Sequence, residues 1–167
     1  MTMQRFSVRF CVGIALAMFF GSGCSKHPVP PGLPKLYSCV VTITQEGQPV
    51  SDATVSLILN DGSRPWAISG STNASGVATM QTQAHFTGAP AGIYKVCVFK
   101  TIQEGTPITI VPAMGESAAV TIIPSFYVVD PKYDRYDTTP LELSIAAKGK
   151  TQATFDAGKE VRIRVAD

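Results

Sequence analysis

Histidine is scarce in this chain: there are two among 167 residues, and only His85 lies beyond position 27. An isolated histidine has no second group to orient it as a general base. The sequence also lacks G-x-S-x-G, H-E-x-x-H and a phosphate-binding glycine loop, motifs that mark common hydrolases, zinc enzymes and nucleotide sites. We therefore expect no catalytic residues, no cofactor and no metal site, and a protein that is not an enzyme.

Charge of either sign is sparse as well, at 16% of residues, and lysine and arginine form no cluster. Two of the 14 basic residues, Arg5 and Arg9, lie at the extreme N-terminus, and without them basic and acidic residues are equal in number. Nucleic-acid interfaces and polybasic membrane segments need clustered positive charge. We therefore expect no nucleic-acid partner.

A hydrophobic run long enough to cross a bilayer is also missing. Residues 10–20 form an apolar core of about ten residues, roughly half of what a transmembrane helix needs. Arg5 and Arg9 precede this core and no acidic residue does, which is the pattern of a secretory signal peptide. The sequence therefore predicts a signal peptide over residues 1–23 and export from the cytoplasm.

The run FFGSGCSK at residues 19–26 ends the apolar core on small residues and a cysteine. It resembles the lipobox of bacterial lipoproteins, with Gly21 where that motif usually has leucine or another aliphatic residue. The resemblance implies diacylglycerol on the sulfur of Cys24, cleavage after Gly23, and an acyl group such as palmitate on the new amino terminus. Two or three acyl chains hold a protein stably on a membrane. The alternative is an ordinary cleaved signal with Cys24 as a bystander.

Ser25, with no aspartate beside the cysteine, is the feature that lipoprotein sorting rules associate with the outer membrane. The resemblance thus implies an exported protein, lipid-anchored to the cell envelope, on the outer membrane at its periplasmic or surface face. Residues 24–36 are rich in proline and cannot pack a core, so we expect an extended tether there. At about 3 Å per residue this tether would lift the domain about 30 Å from the bilayer, with His27 solvated.

Four cysteines are present. Cys11 leaves with the signal peptide and Cys24 takes the lipid, so Cys39 and Cys97 are the two that remain in an oxidising compartment. A disulfide between them would stabilise the fold by about 4 kcal/mol in the chain-entropy model. However, strand alternation places Cys97 on the face opposite Val96, whereas Cys39 is in phase with Val41. A bridge and two buried free thiols both stay open.

Residues 37–167 show the alternation of β-strands and no sustained helical periodicity. We expect one all-β domain: a single antiparallel β-sandwich, Ig-like or transthyretin-like, with about seven to nine strands. The C-terminal strand is the clearest, with Val161, Ile163 and Val165 facing inward. The predicted strands cover residues 36–44, 53–59, 66–71, 76–82, 92–101, 118–123, 141–146, 151–155 and 161–165.

Three runs carry a family resemblance: GQPVSDATVSL at residues 47–57, TNASGVA at 72–78 and GAPAGIYKV at 88–96. Together they resemble the carboxypeptidase-regulatory-like, transthyretin (prealbumin)-like sandwich modules of bacterial envelope lipoproteins. The later runs PKY at 131–133 and TTPL at 138–141 resemble the closing part of such modules in planctomycete-type bacteria. The resemblance implies that Tyr94 is a corner tyrosine, with a buried ring and a hydroxyl bonded to the backbone.

A binding role is indicated by a group of tyrosines and aspartates in residues 127–137 and by the single tryptophan. Such residues supply stacking faces for a sugar or oxygens for calcium, although the spacing and glycine of a calcium loop are missing. The alternative is a polar crossover loop whose tyrosines lie on the sandwich, with the tryptophan packed at its rim. The candidate ligand surface comprises Trp66, Tyr127, Asp130, Tyr133, Asp134, Tyr136 and Asp137.

The first functional hypothesis is a noncatalytic, membrane-anchored envelope lipoprotein that serves as a structural or protein-interaction module. The second is a carbohydrate-binding module of the envelope that uses the aromatic cluster. The partners expected are therefore the membrane, through the N-terminal lipid, and an envelope protein or glycan. Coplanar exposed aromatic rings would favour the sugar, and a convergent pocket at His85 would favour catalysis.

Overall fold

The computed structural model describes residues 27–110 and 120–165. These residues form an all-β fold, and one 3₁₀ turn at Pro131–Tyr133 is the only helical element among them. The strands are β1 (Leu36–Gln45), β2 (Gln48–Pro49), β3 (Thr54–Leu59), β4 (Ile68–Ser71), β5 (Val77–Thr79), β6 (Gln81–Thr82), β7 (Phe86–Thr87), β8 (Ala89–Pro90), β9 (Gly92–Phe99), β10 (Thr101–Gln103), β11 (Ile108–Ile110), β12 (Val120–Ile122), β13 (Ser125–Tyr127), β14 (Glu142–Ile145), β15 (Lys150–Asp156) and β16 (Ile163–Arg164).

Strand β1 lies in the middle of the first sheet and pairs along both edges. Three short antiparallel segments, β8, β5 and β2, follow one another along one edge. The other edge pairs with β15 in parallel, which corrects the expectation of purely antiparallel sheets. Hairpin turns impose antiparallel pairing only on strands that are neighbours in sequence, whereas β15 reaches β1 by a crossover from the second sheet.

The second sheet has the order β14-β9-β3-β4-β6-β7, and every pair in it is antiparallel. It packs face to face with the first sheet, because the alternating apolar residues of β1, β3 and β9 enter one shared core. The predicted all-β sandwich is confirmed. The residues of these three strands that line the core are Cys39, Val41, Ile43, Val55, Leu57, Tyr94, Val96 and Val98.

Tyr94 joins this core at the start of β9, with 1% of its surface exposed. Its hydroxyl donates to the carbonyl of Pro90 at 3.0 Å, so the corner-tyrosine geometry implied by the family resemblance is present. Within the described residues, every buried side-chain nitrogen or oxygen has a hydrogen-bond partner. The core is therefore apolar packing with its few polar groups satisfied.

A hairpin arm extends the chain beyond β9. It is formed by β10 paired with β13 and by β11 paired with β12. Strand β16 pairs with β13 of this arm. Ile163 is 45% exposed, so the prediction that it faces inward was wrong, because its strand is held by the arm rather than packed inside the sandwich.

Cys39 and Cys97, the two cysteines in the part of the chain that the structure describes, are free and buried. Cys39 belongs to the core cluster between the sheets, and Cys97 does not, although it neighbours Val96 and Val98, which do. Alternation along β9 therefore places Cys97 on the outer face of the second sheet. Of the two alternatives, the structure has two free thiols rather than a bridge.

The described part of the tether is folded back on the domain. Leu33 donates its backbone N–H to the carbonyl of Pro30 at 3.2 Å, and Gly32 between them has a φ of 81°. Proline followed by a glycine of positive φ is the signature of a type II turn. The expectation of a fully extended tether is therefore wrong for this part of residues 24–36.

Candidate functional site

A cavity of about 370 Å³ opens between the two sheets at the end of the sandwich where β1 and β9 begin. We call it the Trp66 pocket. Its walls come from both sheets, from the loop between β3 and β4, and from the last residues of the tether. The lining residues are Pro34, Lys35, Tyr37, Leu57, Leu59, Ser63, Pro65, Trp66, Ile68, Pro90, Ala91 and Tyr94.

The β3–β4 loop, residues 60–67, carries Trp66 into the pocket wall, and local hydrogen bonds fix its shape. Its first turn is closed by the N–H of Gly62, which donates to the carbonyl of Leu59 at 2.8 Å. The N–H of Ser63 donates to a carboxylate oxygen of Asp61 at 2.8 Å. Hydrogen bonds from the Ser63 hydroxyl and N–H hold the pKa of Asp61 below its ordinary value. The loop is thus preorganised and does not depend on a ligand for its conformation.

Tyr136 contacts this loop and holds it in place. Its hydroxyl donates to the carbonyl of Asn60 at 2.7 Å, and its ring lies 3.6 Å from the position that a Cβ on Gly62 would take. The same tyrosine stood in the predicted ligand cluster. The structure gives it a positioning contact to the loop that holds Trp66.

The polar groups of the pocket are few. The indole N–H of Trp66 and the hydroxyl of Tyr37 have no hydrogen-bond partner among the described residues. The ammonium of Lys35 lies 5.5 Å from the centre of the Tyr37 ring, a cation–π contact. The pocket therefore combines apolar walls with free hydrogen-bonding groups and one positive charge, the usual composition of a small-ligand site.

Most other members of the predicted ligand surface are engaged in packing or in local polar contacts. Tyr133 is buried in the core cluster, and Tyr127 packs edge-on against Phe99 at the base of the arm. Asp130 caps the 3₁₀ turn through the N–H of Lys132 at 2.9 Å. Asp137 pairs with Arg135 at 3.4 Å. Burial raises the pKa of Asp134, which follows that turn.

His85 is exposed in the turn between β6 and β7, as expected for a surface histidine. The expectation that it has no second histidine to pair with was wrong: the ring of His27 stacks on it, with centroids 3.7 Å apart and planes 11° apart. The tether turn brings His27 back to the domain. The N–H groups and lone pairs of an imidazole lie in its ring plane, so two rings stacked face to face do not hydrogen-bond to each other, and neither histidine orients the other as a general base.

Cys24, the predicted lipidation site, lies outside the described residues. Among residues 27–110 and 120–165, no group of three or more histidine, cysteine, aspartate or glutamate side chains is placed to hold a metal ion. That part of the chain also contains no helix long and apolar enough to cross a membrane.

No protein-family model, no curated protein and no solved structure matches this sequence.

Sequence reasoning identified Trp66 but missed the residues that face it across the pocket. Tyr37 was assigned to the start of the first strand, Lys35 to the tether and Pro90 to the start of a core strand, and none of them to a site. The signal that was available is compositional: prolines and aromatic residues flank the starts of β1, β4 and β9. That those three starts meet at one end of the sandwich follows only from the topology.

Proposed function

We propose that the chain is an exported bacterial lipoprotein, anchored to the cell envelope at Cys24, whose β-sandwich is a noncatalytic interaction module. Its recognition site is the Trp66 pocket, and its partner is a component of the same envelope. The observation that carries the proposal is the position of this preformed apolar cavity beside the tether. A partner held there stays close to the membrane that holds the lipid.

Two features support recognition at this place. The β3–β4 loop is fixed by its own hydrogen bonds and by Tyr136, so binding there orders little additional chain. Tryptophan and tyrosine also supply large contact areas at low entropic cost, which is why they dominate binding sites. The pocket thus has the rigid aromatic anchors that an interaction module needs.

Photo-crosslinking in the native envelope tests this proposal. A photoreactive amino acid is placed at Ala91, which is exposed and lines the pocket, and in a matched chain at Ala74, which is exposed in the turn before β5 at the opposite end. We expect a discrete adduct from Ala91 that Trp66→Ala removes while circular dichroism stays native. Absence of an adduct from Ala91, or the same adduct from both positions, would contradict the proposal.

Only the aromatic rings of the Trp66 pocket support the carbohydrate hypothesis. Tyr133 is packed in the core, and Tyr136 is bonded to the β3–β4 loop. Sugars need many hydrogen-bonding groups around a stacking face, and this pocket has few. The crosslinking experiment separates the two classes. An adduct from Ala91 that loses mass on muramidase digestion would assign a glycan partner and replace the protein-interaction hypothesis.

A further inference from the structure

The charge of the Trp66 pocket is one-sided. Apart from Tyr37 and Tyr94, Lys35 is the only lining residue with an ionisable side chain, and no acidic residue lines the cavity. Its ammonium has no ion pair among the described residues and contacts only the Tyr37 ring. A ligand that enters with a negative group therefore finds an unneutralised cation at the rim and displaces no carboxylate.

The hydrogen-bonding groups point to the same chemistry. The indole of Trp66 is a donor only, and lysine ammonium likewise has no acceptor. The Tyr37 hydroxyl is unpaired among the described residues, whereas the Ser63 hydroxyl is engaged by Asp61. Free side-chain groups of this pocket are thus chiefly donors, so they match a ligand whose polar end consists of acceptors.

The size and lining of the cavity define the rest of the ligand. About 370 Å³ is more than twice the roughly 150 Å³ of an apolar protein cavity that accommodates benzene. The walls are leucine, isoleucine, proline and aromatic side chains, which favour burial of hydrocarbon over polar surface. The apolar part of the ligand is therefore larger than a single ring.

From these observations we propose that the Trp66 pocket binds small amphipathic carboxylates, with the apolar body between the sheets and the carboxylate at Lys35. The proposal rests on the proposed function in taking this pocket as the recognition site, and it names the chemistry that is recognised there. Trp66 and Tyr37 provide the contact surface, and the Trp66 N–H is a second donor to the ligand.

The single tryptophan of the chain makes the test direct, because Trp66 lines the pocket and is the only tryptophan that emits. The full chain, reconstituted in phosphatidylcholine vesicles, is titrated with phenylbutanoate and with phenylbutanol, which differ in the charged group. We expect the acid to change the emission at about tenfold lower concentration than the alcohol, as for a charge-assisted hydrogen bond. Lys35→Gln removes this preference. Lys159→Gln, at an exposed lysine of the opposite end, keeps it.

Equal affinities for acid and alcohol, or a preference that survives Lys35→Gln, would overturn the proposal, as would no change in emission with either probe. The outcomes of this titration can be distinguished from those of the crosslinking experiment. An adduct from Ala91 without carboxylate binding overturns this inference and leaves the interaction module standing. Carboxylate binding without any adduct supports the inference and overturns the envelope partner.

Discussion

At each end of this sandwich, one buried side chain fixes the backbone through hydrogen bonds to carbonyl groups. At the pocket end, Tyr94 is held by a hydrogen bond over four residues to Pro90, and it fills the core while its ring edge reaches the cavity. At the opposite end, the buried amide of Gln45 donates to the carbonyls of Val128 and Lys159, both at 3.2 Å. The first contact fixes the start of β9, and the second joins β1 to the base of the arm.

Removal of the Tyr94 hydroxyl should destabilise the fold. Tyr94→Phe leaves a buried carbonyl without its donor, at a cost of about 1 kcal/mol or more. Tyr37→Phe is the matched control, because its hydroxyl has no hydrogen bond to a described residue, and we expect it to be neutral. Urea unfolding of both variants measures the difference. Equal stability of the two variants would show that the corner hydrogen bond contributes nothing.

Because both thiols are buried, the free energy of unfolding should depend on pH in the alkaline range. Desolvation raises the pKa of Cys39 from 9.0 to about 11 and also raises the pKa of Cys97. A group whose pKa is raised by folding contributes stability that is complete below its unfolded pKa and is lost as pH rises through the folded value.

The free energy of unfolding should therefore fall between pH 9 and pH 11. Cys39→Ala removes one titrating group, so its fall over this interval should be smaller than that of the unmodified chain. Denaturant unfolding at several pH values provides the measurement. A variant with the same pH dependence as the unmodified chain would refute the assignment to Cys39.

At the level of elements, glycine turns fix the pairing along β1. Gly76 has a φ of 73°, and a Cβ there would meet the carbonyl oxygen of Ile43 at 2.5 Å. The turn before it is closed by Asn73, whose side-chain oxygen accepts from the N–H groups of Ser75 and Val77. This turn holds β5 against the middle of β1.

Gly76→Ala should cost roughly 3 kcal/mol, since strain of the left-handed backbone and a clash with β1 act together. Gly47→Ala is the control: its φ is 80°, but nothing lies within 4 Å of the added Cβ. Backbone strain alone predicts about 1 kcal/mol for it. Thermal unfolding ranks the two variants. A smaller loss at Gly76 than at Gly47 would show that the close approach to β1 is not rigid.

The longer strands follow from the sequence because alternation marks one buried face. β3, β9 and β14 lie within predicted runs, and β1 and β15 extend theirs by one residue at one end and at both ends, respectively. The two-residue strands β2, β7 and β8 were not predicted, since two residues have no periodicity, and they exist only because β1 or β6 offers a free edge. The parallel partner of β1 was missed for a related reason: pairing across a crossover leaves no local signal.

In the tether, by contrast, the sequence does contain a local turn motif, but the prediction followed the overall proline content instead. Residues 30–33 read Pro-Pro-Gly-Leu, which fits a type II turn. Proline content alone predicted an extended spacer. The turn and the His27–His85 contact instead place the described end of the tether against the domain.

At the scale of the whole molecule, this contact limits how far the domain can stand from a lipid at Cys24. His27 is three residues from Cys24, and three residues span at most about 10 Å. A lipid at Cys24 would then hold the β6–β7 turn, which bears His85, close to the bilayer. The Trp66 pocket, bordered by Pro34 and Lys35, opens next to the same tether.

Loss of the ring contact should free the tether without unfolding the domain. His85→Ala changes an exposed side chain, so we expect the free energy of unfolding to stay within about 0.5 kcal/mol. The amide of Leu33, bonded to Pro30 in the tether turn, should exchange its hydrogen faster. Gln81→Ala, at the exposed position of β6, is the control and should leave that exchange unchanged. Unaltered exchange in His85→Ala would contradict a docked tether.

Lipid anchoring at Cys24 is the central claim, because the envelope location and the membrane-proximal pocket both depend on it. The intact mass of the mature protein extracted from bacterial membranes tests it most directly. We expect a chain that begins at Cys24 and carries the added mass of diacylglycerol and an acyl group, and Cys24→Ser should leave an unprocessed precursor or a soluble protein. A mature species without acyl mass would show that Cys24 is not lipidated.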